Sequence, residues 1–100
     1  MIVDFVAQLW IWDARKGDSW TFVSLPVPAS EEIRELTGGR RRGFGSVRVR
    51  VTLGTSTWAT SIFPAATRDT YVLPIKRAVR VAESLDAGDT ATLTVEVIDL

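Results

Sequence analysis

Val47-Arg48-Val49-Arg50-Val51-Thr52-Leu53 alternates apolar and polar residues without a break. A helix, with about 3.6 residues per turn, cannot keep such a pattern on one face. The segment reads as a strand, with Val47, Val49, Val51 and Leu53 toward a core and Arg48, Arg50 and Thr52 away from it. A strand with one such face needs neighbours whose buried faces match it, so the rest of the chain is constrained to supply them.

The neighbours are legible. Ile2 to Asp13 puts Val3, Phe5, Ala7, Leu9 and Ile11 on one face and Asp4, Gln8, Trp10 and Trp12 on the other. Ser19–Leu25, Thr57–Phe63, Thr70–Leu73 and Thr90–Leu100 are predicted as further strands, bounded by Gly, Pro and Asp clusters. A first helix is expected from Ser30 as N-cap, with Glu31 and Glu32 in its first turn and Gly38-Gly39 as its stop. A second is expected over Ile75–Leu85, with Ile75, Ala78, Val79, Ala82 and Leu85 along one face.

The order β-β-α-β-β-β-α-β divides into two β-β-α-β halves, about 1–53 and 54–100 of a single domain. Phe22-Val23-Ser24-Leu25-Pro26-Val27 precedes the first helix, and Tyr71-Val72-Leu73-Pro74-Ile75 opens the second. Closure removes the exposed edges of six short strands. The expectation is a mainly β protein, a small closed six-stranded barrel with two short helices. A barrel of that size is filled by its own side chains.

Composition excludes much chemistry. The chain has no Cys and no His, which removes thiolate nucleophiles, disulfides, the usual metal ligands and a Ser–His–Asp triad. No metal, cofactor or catalytic residue is assigned. A small enzyme would have to work with carboxylates or Lys76. No apolar run approaches the roughly 20 residues of a membrane span, and the apolar start lacks a basic leader, so a cytoplasmic protein is expected.

Several ordered motifs carry a resemblance: Trp20-Thr21-Phe22-Val23-Ser24-Leu25-Pro26, Gly43-Phe44-Gly45-Ser46-Val47-Arg48-Val49, Trp58-Ala59-Thr60-Ser61-Ile62-Phe63-Pro64, Leu73-Pro74-Ile75-Lys76-Arg77-Ala78-Val79-Arg80 and Ala87-Gly88-Asp89. Together the chain resembles the bacterial family known as "domain of unknown function 1905". The resemblance implies a double-split, pseudo-twofold β-barrel, the class of the antitoxin and transition-state-regulator barrels. In those regulators two chains build the barrel; here the internal repeat would let one chain supply both halves. It implies no established activity.

Two basic clusters are candidate sites. Lys76 and Arg77 at the start of the second helix, with Arg80 one turn on and Arg48, suit an anion such as phosphate or carboxylate. Neutralisation by Asp69, Glu83 or Glu96 is the competing reading. The other cluster, Arg40, Arg41, Arg42, Arg48 and Arg50 with Phe44 beside them, suits phosphates and a stacked base of a nucleic acid. The leading expectation is a non-enzymatic binding module, monomer or weak homodimer, whose partner is an anionic ligand or an unknown protein, away from membranes. Trp20 and Trp58 are expected in the core, and Trp10 and Trp12 packed beneath a helix rather than forming an exposed patch.

The net charge of zero conceals a gradient. Residues 1–37 hold three basic and six acidic groups, residues 38–82 nine and one, and residues 83–100 none and five. Whether folding sets the acidic C-terminal strand against the basic middle decides between internal neutralisation and a polarised surface.

Overall fold

A computed structural model describes residues 1–15, 18–38, 45–65 and 69–98, with the backbone alone for 13–15, 18 and 19. The elements run β1 Ile2–Gln8, β2 Trp10–Arg15, β3 Asp18–Ser24, α1 Val27–Leu36, β4 Val47–Leu53, β5 Ser56–Ala65, β6 Thr70–Pro74, α2 Arg77–Glu83 and β7 Thr90–Val97. The strands form one antiparallel seven-stranded sheet in the order β1-β7-β4-β5-β6-β3-β2.

The expected closed six-stranded barrel is corrected to an open, half-barrel sheet of seven strands. The first strand is two. Only Leu9 separates β1 from β2, yet they form opposite edges of the sheet. β1 pairs with β7 from Ile2↔Glu96 to Gln8↔Thr90. The backbone of Leu9 then bonds the turn before β7, its N–H donating to Asp89 O at 2.9 Å and its carbonyl accepting from Gly88 N at 2.8 Å. From Trp10 onward the chain faces β3 instead. β5 changes partner in the same way, pairing with β4 through Ile62 and with β6 from Phe63.

The alternation of β4 does what its pattern demands: Val47, Val49, Val51 and Leu53 are buried, and Arg48, Arg50 and Thr52 are exposed. β7 beside it buries Ala91, Leu93, Val95 and Val97. These join Phe5, Leu9, Val23, Leu25, Ile33, Ile62, Tyr71, Leu73, Ile75 and Val79 in one core. Ile11, expected inward, is exposed, and so are Ala78 and Ala82 on α2. That helix spans seven residues and buries Val79 alone, too short to use the whole predicted stripe.

Both strand-to-helix junctions keep their bonds past the end of pairing. Leu25 N–H donates to Tyr71 O at 3.0 Å and Ile75 N–H to Thr21 O at 2.8 Å. α1 starts earlier than its sequence suggests, with Pro26 as N-cap and no acidic residue in its first turn. Pro tolerates this position because its missing N–H has no helical partner there. Ser30 is therefore not a cap. It lies fully buried, and its Oγ accepts the Tyr71 backbone N–H at 3.0 Å. Ser30→Ala leaves that amide buried without an acceptor, and a loss of about 1–3 kcal/mol is expected in urea unfolding; Ser30→Thr, if its methyl is accommodated, retains part of it.

Candidate functional site

The structure gathers part of the predicted anion cluster. Lys76 is the N-cap of α2, in extended conformation at φ −68° and ψ 157°, and Arg77 is the first helical residue. Arg80 lies in the last turn of this short helix, where a cation is favoured by the backbone dipole rather than opposed. Lys76 and Arg77 thus stand at the helix start and Arg80 one turn on, as the spacing implies. What remains is a surface groove of about 700 Å³ lined by Arg77, Arg80, Val81, Ser84, Leu85 and Asp86. It lies on the outside of the molecule, so the filled core and the groove are compatible.

Arg80 is positioned by its own backbone neighbourhood. Its Nε donates to Ile75 O at 3.2 Å, which restrains the guanidinium and leaves its Nη groups free of that bond. Ser84 follows in the left-handed conformation, φ 55°, and turns the chain into Leu85 and Asp86, which also line the groove. The Asp86 backbone N–H donates to Asp89 Oδ2 at 2.8 Å and its carbonyl accepts the Asp89 N–H at 3.0 Å, closing a turn over residues 86–89.

The three carboxylates of the competing reading are engaged elsewhere. Asp69 stands 4.0 Å from Arg34. Glu96 pairs with Arg50 at 3.0 Å. Glu83 accepts bonds from Thr55 and Ser56. Among the described residues, no ion pair reaches Lys76, Arg77 or Arg80. The acidic C-terminal strand therefore neutralises Arg50 and leaves the α2 cations alone.

Arg48 is not brought to the groove. It projects from the outer face of β4 and bonds Ser61 Oγ at 3.4 Å. The second cluster is only partly described: Arg40, Arg41, Arg42 and Phe44 lie outside the described residues. The exposed Arg50–Glu96 pair contributes at most about 1 kcal/mol to stability, but it does occupy one of the five arginines counted for nucleic acid.

Sequence reasoning misplaced an aromatic row. Trp20 is 55% exposed and Trp12 54%. On β3 it is Thr21 and Val23 that are buried, so Trp20 and Phe22 face outward. The signal was the continuation of the Thr21, Val23, Leu25 parity into the Leu-Pro junction; ring size argued the other way. Trp58 is half-buried against the core, its Nε1 enclosed and without a partner among the described residues.

A small, mainly β domain with two short helices and an arginine-lined surface groove is the class that fold and site define. The chain belongs to the family described as Domain of unknown function (DUF1905), which matches residues 5–95. No curated protein matches it. Among the described residues no helix is long and apolar enough to cross a membrane.

Proposed function

We propose that this chain is a non-enzymatic binding module that takes an anionic group, phosphate or carboxylate, in the groove along α2. The observation that carries the reading is the pair Arg77 and Arg80, which line the groove with no ion pair among the described residues. Two guanidiniums one turn apart suit a tetrahedral or planar oxyanion, because each offers a fork of N–H donors. Val81 and Leu85 add apolar surface to the lining, and Asp86 adds one carboxylate.

The strand registers support a double-split barrel built from two halves. Val49 faces Val97 on the β4–β7 boundary, and Ser24 faces Val72 on the β3–β6 boundary. Both pairs have the same separation along the chain as Leu25 and Leu73 of the two Leu-Pro junctions.

The test is an amide chemical-shift titration with inorganic phosphate, and in parallel with citrate. Shifts are expected to concentrate on Arg77 to Asp86 and to vanish in the Arg77→Ala, Arg80→Ala double variant. A flat titration, or shifts that survive the double substitution, overturns the reading.

A further inference from the structure

Four aromatic side chains share the outward face of the β2–β3 hairpin. Trp12 stands opposite Trp20, and Trp10 opposite Phe22. The Trp20 and Phe22 rings are stacked, with centroids 6.2 Å apart and planes 13° apart. Trp10 and Phe22 are 5.2 Å apart. Trp10 is tied down by its Nε1–H, which donates to Ser24 Oγ at 3.0 Å. The inner pair is thus held in place, while the faces of Trp12 and Trp20 are open to solvent.

A cation stands at the rim of this row. β6 pairs with β3 as far as Phe22↔Pro74, and the Ile75 N–H still donates to Thr21 O at 2.8 Å. Carrying the register one residue further sets Lys76 opposite Trp20, on the same outward face. Trp20 is thus paired with Trp12 across the hairpin, and Lys76 takes the next register position on its β6 side. Arg77 follows directly and leads into the groove with Arg80.

Charge decides which occupant suits the rings. A second copy packed face to face would carry its own Lys76 and Arg77 into the interface, adding like charge to it. A neutral sugar makes no use of the cations. Duplex nucleic acid supplies phosphates but keeps its base faces stacked inside. A single strand supplies both phosphates and open base faces, the combination that aromatic rows beside cationic grooves accept.

We infer that the outward face of β2 and β3, with Lys76 at its rim, is a stacking platform for single-stranded nucleic acid. Trp12 and Trp20 take successive bases, and Lys76 with Arg77 takes the intervening phosphate. The phosphate contact rests on the anion-binding groove proposed above; the stacking contact does not.

The experiment is a tryptophan-fluorescence titration of the full chain at low salt. The probes are oligothymidylate, oligouridylate, a duplex of equal length, inorganic polyphosphate and a neutral oligosaccharide. Quenching is expected with the single strands alone. Trp12→Ala and Trp20→Ala should each weaken binding about tenfold, within the range that one stacked base contributes, and Trp20→Phe should retain most of it. Lys76→Ala should make the log–log salt slope shallower by about 0.7. Equal affinity for the duplex or for polyphosphate overturns the platform, as does quenching by the sugar alone. Self-association that buries the tryptophans without nucleic acid binding overturns it in favour of a second copy. Phosphate shifts at the groove that persist while oligonucleotides fail to bind sink the platform and spare the groove; loss of both sinks both.

Discussion

Replacing Leu93 by alanine is expected to lower stability by about 2–5 kcal/mol, the range for truncating a fully buried leucine. Leu93 sits on β7 opposite Phe5 of β1 and Leu53 of β4, and all three are buried. The rank spans three strands, so the truncation opens a space that no single strand can close without leaving its register. The loss combines the transfer free energy of the missing methyl groups with the contacts forfeited by Phe5 and Leu53. A chain of this size has only about 5–15 kcal/mol of stability in all. The melting temperature should fall by roughly 4–8 °C per kcal/mol lost. Thr92→Ala is the control: it is exposed next door on β7, and a change within about 0.5 kcal/mol is expected. Thermal and urea unfolding read both. A loss below about 1 kcal/mol for Leu93→Ala would mean that the β1–β7–β4 layer is not the core.

Gly54→Ala is the second large effect. Gly54 turns β4 into β5 at φ +59°, a conformation that costs other residues about 1–2 kcal/mol. A Cβ there would also meet the Glu83 carboxylate. That carboxylate accepts the Ser56 hydroxyl at 2.6 Å, the Thr55 hydroxyl at 3.1 Å and the Thr55 N–H at 3.4 Å, and so clasps the end of α2 to the β4–β5 turn. The alanine both strains the turn and pushes the clasp open. A double-mutant cycle separates the two: in a Glu83→Ala background the clash is gone, and Gly54→Ala should cost less than in the parent chain. Equal cost in both backgrounds would remove the clasp from the account.

The same bonds set a pH dependence. The Ser56 hydroxyl, ahead of the Thr55 contacts, holds the Glu83 carboxyl below its ordinary value of 4.5, against a partial opposing effect of burial. A carboxyl whose folded value is depressed stabilises fully above its unfolded value, and that contribution is lost as pH falls through the folded value. Stability should therefore decline on the acid side of 4.5, and less steeply in Glu83→Gln.

The internal alternation of β4 and β7 was legible because each residue's face follows from parity alone, whatever lies opposite. The Leu-Pro junctions were legible because proline is confined to the ends and edges of strands, although Pro64 lies within β5 opposite Tyr71 and Pro74 is the last residue of β6. The break at Leu9 was not. Ile2 to Trp12 keeps one parity throughout, and only the choice between β7 and β3 as partner divides it. The helix ends were shifted because Ser30, a good cap residue by type, found a better use as acceptor for Tyr71 N–H. Trp20 was misplaced because its area favours burial, while the Thr21 and Val23 positions had already taken the inner face.

The candidate site shows the same division. The cations Lys76, Arg77 and Arg80 stand in sequence, but their availability does not. It depends on Asp69, Glu83 and Glu96 being engaged by Arg34, Thr55 with Ser56, and Arg50. Arg48, one of the residues first grouped with them, is carried to another face by the β4 pleat.

The sequence by itself determined a mainly β chain, two short helices, the inner face of the central strands and the lack of cysteine and histidine chemistry. Those follow from side-chain type and from periods of two or four residues, which are local. The tertiary structure alone decided that the first strand serves both edges of the sheet, that among the described residues the acidic groups after α2 form no ion pair with its cations, and that Trp12 and Trp20 of the β2–β3 hairpin face solvent. Each of these turns on which distant segment lies alongside, and pairing between segments tens of residues apart is set by the free energy of the whole core rather than by any residue's own preference.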